Sequence, residues 1–125
     1  GSRIEALIDQ YPSLARRRRT AAGALSGGEQ AMLSLARALV SEPRFILLDE
    51  PSAGLSPAMV IETLERITTL TKQGIGILMV EQNIREAMPI ADRIYILAAG
   101  EKRFEGSPSD VRDDRQIMDI YMGGA

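Results

Sequence analysis

Two short apolar runs with a helical pattern between them constrain this chain more than any other feature. Phe45-Ile46-Leu47-Leu48 is continuous and has turn signals on both sides. It suits a strand buried on both faces of a parallel sheet. Ser56-Pro57 then starts a helix, with Ser as N-cap and Pro in the first helical position. Val60, Ile61, Leu64 and Ile67 mark its buried stripe, and Gly74 ends it. Ile75 to Val80 reads as a second buried strand. Asn83 and Glu86 open a short helix that Pro89 breaks or kinks, and Ile94 to Leu97 is a third strand. Ala99-Gly100-Glu101 is a turn into Lys102-Arg103-Phe104, and a last helical stretch runs from Ser107-Pro108 to near Tyr121-Met122. Strands alternating with helices imply an α/β fold built on a parallel sheet.

Upstream, Ile4, Leu7 and Ile8 recur at helical spacing until Tyr11-Pro12. Ser26 and Glu29 form a capping-box pattern ahead of Met32, Leu35, Ala36, Leu39 and Val40, and Ser41-Glu42-Pro43 stops that helix. Arg16-Arg17-Arg18-Arg19 reads either as a phosphate-binding patch or as a solvated segment. The acidic balance of the whole chain favours the solvated segment.

Composition narrows the function classes. The 125 residues are the size of one domain, and the 45% apolar and 26% charged fractions fit a soluble globular protein. A net charge of −2 gives no general affinity for nucleic acid or anionic lipid. Without cysteine there are no disulfides or thiolate metal sites, and without histidine there is no imidazole base, ligand or pH switch. No apolar run reaches the ~18 residues that span a bilayer, and no signal peptide is visible. Gly1-Ser2 reads as a cloning remnant, and the missing initiator Met reads as the mark of a fragment.

Two local arrangements carry chemistry. Asp49-Glu50 follows four apolar residues at the carboxyl end of a strand, where ligands of parallel α/β sheets sit. Asp49 is placed to hold a Mg²⁺ shell and Glu50 to orient and polarise an attacking water, unless the two acids merely begin a loop. Ser26-Gly27-Gly28 opens a helix whose free N–H groups and dipole favour an anion. Two glycines let a phosphate approach the backbone, and the Ser hydroxyl adds a donor. A plain capped helix is the alternative.

Taken together, Leu25-Ser26-Gly27-Gly28-Glu29-Gln30, Ala36-Arg37-Ala38-Leu39 and the "LLDEP" ending at Pro51 closely resemble the ATPase subunit of ABC transporters. Within that family, "SGGEQ", "DEPSAGLSP", "VEQN" and the terminal "YMGG" look most like the branched-chain amino-acid importers. The resemblance runs from about Ile4 to Gly124 and matches only the C-terminal half of such a subunit. It implies a partial P-loop NTPase (RecA-like) parallel sheet with flanking helices, plus part of the helical signature subdomain. Residues 3–42 would be the helical signature segment and 43–125 the C-terminal part of the core.

Carried onto this chain, the resemblance makes Ser26, Gly27, Gly28 and Glu29 the signature that meets the ATP of the opposite subunit. Asp49 takes the Walker B role toward Mg²⁺ and Glu50 the general-base role. The stretch Ser52 to Ser56, with Gly54, Leu55 and Ser56 at its end, becomes the loop that crosses the dimer interface. Most of the family has Asp where Ser56 stands, and a hydroxyl cannot supply that charge. Gln82 occupies the place of a switch histidine. Its amide can donate to the γ-phosphate but cannot take a proton, which leaves proton acceptance to Glu50.

The nucleotide-gripping loop is missing. Walker A needs Gly-Lys followed by Ser or Thr, but Lys72 precedes Gln73 and Lys102 precedes Arg103, and these are the two lysines of the chain. The expected partners are a second ATPase subunit and transmembrane permease subunits, with ATP and Mg²⁺ as cofactors and no nucleic acid. The place implied is the cytoplasmic face of the cell membrane. Lacking the P-loop strand between the strands at Val80 and Ile94, this chain is expected to self-associate and to be inactive alone. Two other classes compete. The C-terminal lobe of a chromosome-structuring or DNA-repair ATPase would also lack Walker A, but residues 3–24 show no sustained heptads and Pro51 follows Asp-Glu. A non-catalytic interaction module is the other.

Overall fold

The computed structural model describes residues 2–121. The chain divides into two compact units, one ending at Val80 and the other beginning at Glu81.

The first unit has the helices α1 (Ser2–Asp9), α2 (Pro12–Arg16), α3 (Gly27–Leu39) and α4 (Pro57–Lys72), and the strands β1 (Phe45–Asp49) and β2 (Gly76–Val80). β1 and β2 pair in parallel, with Phe45 opposite Gly76, Leu47 opposite Leu78 and Asp49 opposite Val80. α4 is the crossover between them. Its start is set by Ser56, whose side chain accepts from the Met59 N–H, and by Pro57 at the first helical position. Past its end, Gly74 takes a φ of +89°, which a glycine adopts without steric cost. The core of the unit gathers Tyr11, Leu14, Met32, Leu35, Ala36, Leu39, Ile46 and Leu70.

Two expectations need correction here. β1 is not buried on both faces: Ile46 is buried, but Phe45 is 58% and Leu47 71% exposed, with Leu78 and Val80 of β2 exposed as well. The pleat sends alternate side chains to opposite faces, and only one face of this two-stranded sheet is covered. Ile61 leaves the buried stripe of α4, being 59% exposed; Ile67 is buried as expected, and Thr63 and Leu70 are buried with it. The hydroxyl of Thr63 donates to the Met59 carbonyl at 2.8 Å, which lets a polar side chain sit in the interior. The short helix α2 was not apparent in the sequence. The arginine run beyond it is solvated, as expected, with Arg18 paired to Asp9 and Arg17 to Glu29.

The second unit contains α5 (Ile84–Ala87), a 3₁₀ turn at Met88–Ile90, β3 (Ile94–Ala98), β4 (Glu101–Gly106), α6 (Pro108–Asp113) and α7 (Arg115–Tyr121). β3 does not extend the parallel sheet. It pairs antiparallel with β4, with Ala98 opposite Glu101. The two residues between them, Ala99 and Gly100, both have positive φ, as a tight hairpin turn of the right hand requires. The last helical stretch is broken at Asp114, whose carboxylate accepts from the Gln116 and Ile117 N–H groups and caps α7. Met122, and the "MGG" of the terminal motif, lie outside the described residues.

On β4, Glu105 accepts from Arg93 and from Lys102. These hydrogen bonds, Arg93's first, hold its carboxyl at about 2 against an ordinary value of 4.5. A carboxylate with a lowered folded-state value stabilises the fold above its unfolded value and loses that effect as pH falls through the folded one. Glu105→Gln should therefore unfold at a lower temperature than the native chain at pH 7. The gap should shrink below pH 4.5 and close near pH 2. Thermal melts of both chains across that range check it.

Candidate functional site

The first turn of α3 is built by a reciprocal cap. The Glu29 N–H donates to Ser26 Oγ at 3.3 Å, and the Ser26 N–H donates to a Glu29 carboxylate oxygen at 2.9 Å. The Gln30 N–H is taken up by the Ser26 carbonyl at 2.8 Å. Gly27 and Gly28 stand in the first turn, where an amide has no carbonyl one turn back, so their N–H groups point out of the helix end. The Ser26 hydroxyl accepts from the Glu29 N–H and turns its own proton toward the Glu29 carboxylate. Glu29 is held ionised, its carboxyl lowered first by the Ser26 N–H, then by the Ser26 hydroxyl and Arg17.

The two glycines are not equivalent. A Cβ on Gly27 would meet nothing within 4 Å, so its backbone faces open space. Gly28 is buried, and a Cβ there would lie 2.6 Å from both Cγ and Cε of Met59. Open approach to the backbone, expected at both, is therefore a property of Gly27. At Gly28 the absence of a side chain makes room for α4.

Asp49 is the last residue of β1 and is exposed. Glu50 follows, half-buried, with a φ of +45°. Its N–H donates to the Val80 carbonyl at 2.8 Å, continuing the β1–β2 ladder one residue past the strand, and its carbonyl accepts from Ala53 at 3.0 Å. A residue other than glycine in the left-handed region costs on the order of 1 kcal/mol. Those two backbone bonds hold it there. Beyond it, Ser52 is buried, Gly54 turns the chain at a φ of +71°, Leu55 is half-buried, and the exposed Ser56 caps α4.

Ser26, Gly27, Gly28, Glu29, Asp49, Glu50, Gly54, Leu55 and Ser56 thus all lie in the first unit, on the starts of α3 and α4 and the carboxyl end of β1. Gln82, exposed, stands two residues past β2 in the second unit. Among the described residues no three acidic, histidine or cysteine side chains gather into a metal-binding group. Asp49 alone still suits Mg²⁺, which commonly takes one or two carboxylates and completes its shell with water and phosphate oxygens. Two features escaped the sequence reading. Arg17 pairs with Glu29 at 3.3 Å, visible in the sequence only as one of four arginines. Met59 packs on Gly28, and no local pattern announces a contact across 31 residues.

Known proteins match in the same region. Residues 1–53, which hold the Ser-Gly-Gly-Glu and the Asp-Glu, match the family model described as ABC transporter. The high-affinity branched-chain amino acid transport ATP-binding protein BraG of Pseudomonas aeruginosa is 37% identical over 121 residues, covering 97% of this chain and 52% of BraG. The lipopolysaccharide export system ATP-binding protein LptB of Acidithiobacillus ferridurans is 44% identical over 106 residues, covering 85% of this chain and 44% of LptB. An ATP-binding cassette of an ABC transporter, solved in its ADP conformation, superposes with a TM-score of 0.79 at 27% identity, over 96% of this chain and 47% of that one. The chain spans about half the length of the curated relatives it matches. Matched motifs, similar sequences along nearly the whole chain and a shared α/β fold agree, and the chain is similar to part of the ATP-binding proteins of ABC transporters.

Proposed function

We propose that this chain is the signature-bearing half of an ABC transporter ATPase, which drives solute across a membrane by hydrolysing ATP. The observation that carries the reading is the joint presence of the capped Ser26-Gly27-Gly28 turn and the Asp49-Glu50 pair within one matched stretch. Ser26 and the Gly27 amide would donate to the terminal phosphate of ATP held by a second ATPase subunit. Asp49 would hold Mg²⁺, which neutralises charge on the phosphates when bound. Glu50 would accept the proton of the attacking water, and Gln82 would donate a neutral hydrogen bond. Residues 3–42 would form the helical signature segment and 43–125 the C-terminal part of the core. Permease subunits would hold the assembly at the cytoplasmic face of the membrane, because no helix among the described residues is long and apolar enough to cross it.

Branched-chain amino-acid import is the specific activity we infer, on the similarity to BraG along 97% of the chain. Lipopolysaccharide export is the second reading, favoured by the 44% identity to LptB. Transport assays of the full-length ATPase reconstituted with each permease type separate the two.

In a full-length ATPase containing this sequence, Glu50→Gln should abolish hydrolysis while sparing ATP binding, since the amide keeps the shape and loses the proton acceptor. Gln82→Ala should slow turnover by less. Steady-state rates and nucleotide binding measured on both variants decide it; near-normal turnover of Glu50→Gln removes Glu50 from the role.

The 125-residue chain by itself should not bind ATP at micromolar concentration. It has no Gly-Lys-Ser/Thr, so it has no nest of N–H groups around the β-phosphate, no Lys charge there and no Mg²⁺-binding hydroxyl. Charge-assisted contacts are worth about 1.5–3 kcal/mol each, and losing several weakens binding by orders of magnitude. Calorimetric titration with Mg-ATP tests this, and saturable micromolar binding overturns it.

Self-association of the chain follows from Phe45, Leu47, Leu78 and Val80, which leave one sheet face apolar and exposed. Light scattering should show mass rising with concentration, and Leu47→Glu should suppress the rise.

A further inference from the structure

The loop Ser52–Ser56 and the Ser26-Gly27-Gly28 turn lie far apart in sequence, yet one residue meets both, the loop with its backbone and the turn with its side chain. Met59 belongs to the first turn of α4. Its N–H donates to Ser56 Oγ at 3.4 Å, and its carbonyl accepts from the buried Thr63 hydroxyl at 2.8 Å. Its backbone is therefore tied to the loop end on one side and to the helix interior on the other. Its thioether reaches α3 and lies where a Cβ on Gly28 would be, 2.6 Å from Cγ and Cε and 3.0 Å from Sδ. Met59 also packs against the buried core of the unit.

The atom that decides the matter is Cγ. A clash with Cε alone would be relieved by swinging the terminal methyl group. Cγ is one bond from Cβ and moves only if χ1 turns, and helices restrict χ1 because of the preceding turn. The preceding turn here contains the capping Ser56. A side chain at position 28 would have to displace either α3 or the start of α4, and with it the end of the loop.

We propose that Met59 is a positioning residue that couples the Ser26-Gly27-Gly28 turn to the Ser52–Ser56 loop, and that position 28 is glycine to seat Met59. This rests on the function proposed above only in assigning those two loops to the ATPase interface. Gly27, open to solvent, is the glycine that admits a ligand, and Gly28 is the glycine that admits α4.

A compensation cycle tests it on the 125-residue chain and on the full-length ATPase. In the chain, Gly28→Ala should lower the melting temperature by about 5 °C, the scale of an overpacked core in a domain this size. Gly28→Ala combined with Met59→Ala should melt above Gly28→Ala alone, although it has lost a buried side chain. Gly28→Ala should also shift the amide resonances of Gly54, Leu55 and Ser56, and Gly27→Ala should not. In the ATPase, Gly28→Ala should reduce hydrolysis at least tenfold, roughly the loss expected when a site is displaced by a fraction of an ångström. Met59→Ala should restore most of that loss, Met59→Leu should keep native turnover in an otherwise native protein, and Met59→Ala should not rescue Gly27→Ala. Additive melting losses, unmoved loop resonances or a Gly28→Ala defect that Met59→Ala leaves in place each overturn the proposal. An ATPase inactive with its native sequence would refute the proposed function instead, and the melting cycle and resonances would still decide the coupling.

Discussion

Helix α3 can offer its first turn to a ligand only because its other end and its apolar face are anchored. Met32, Leu35, Ala36 and Leu39 bury along one stripe and meet Ile46 of β1, Leu70 of α4, Leu14 of α2 and Tyr11 just before it. Burying four such side chains contributes several kcal/mol, on the order of 1.5–3 for each large one. No cap supplies that much: the Ser26–Glu29 box is worth about 1 kcal/mol. The box sets where the helix begins and the stripe sets where it points. Since β1 lies under the same stripe, the Asp49-Glu50 end of that strand is positioned by the same packing.

Elements with local signals were legible in the sequence. The helices α3 and α4 announce themselves by Ser caps, a Pro at the first position and stops at Pro43 and Gly74, all within a few residues of the boundaries observed. A turn at Ala99-Gly100 was legible for the same reason. Whatever depended on distant neighbours was not. Four consecutive apolar residues in β1 look alike on both faces, yet Leu47 is 71% exposed and Ile46 buried. Periodicity offered Ile61 to the stripe of α4, and tertiary packing chose Thr63 because its hydroxyl could satisfy itself on the Met59 carbonyl. The pairing of β3 follows from a turn too short for a parallel connection, a constraint that acts on β4 and not on the apolar run that suggested a third parallel strand.

The same division runs through the site. That Asp49 and Glu50 close a strand can be read from "ILLDEP". That Glu50 occupies the left-handed region, where glycine would be easier, cannot. The role proposed for Glu50 asks for two things at once, a backbone that bends away from the ladder and a carboxylate at the bend. Glycine would meet the first and forfeit the second. The chain keeps the carboxylate and holds the bend with the Val80 carbonyl on one side and the Ala53 N–H on the other.

Charge at the start of α3 shows a comparable compromise. The cap that defines the helix places the Glu29 carboxylate beside the N–H groups proposed to receive a phosphate, and two anions at one helix end repel. Arg17 sits on that carboxylate at 3.3 Å and offsets its charge without covering Gly27, which stays open. The Arg17 side chain is largely exposed, so the pair adds little to stability. Its effect on an incoming anion is less screened at short range than at a distance beyond about 8–10 Å in physiological salt. The arginine run is thus solvated as a segment, while one of its members, Arg17, offsets the Glu29 charge beside the turn proposed to receive a phosphate.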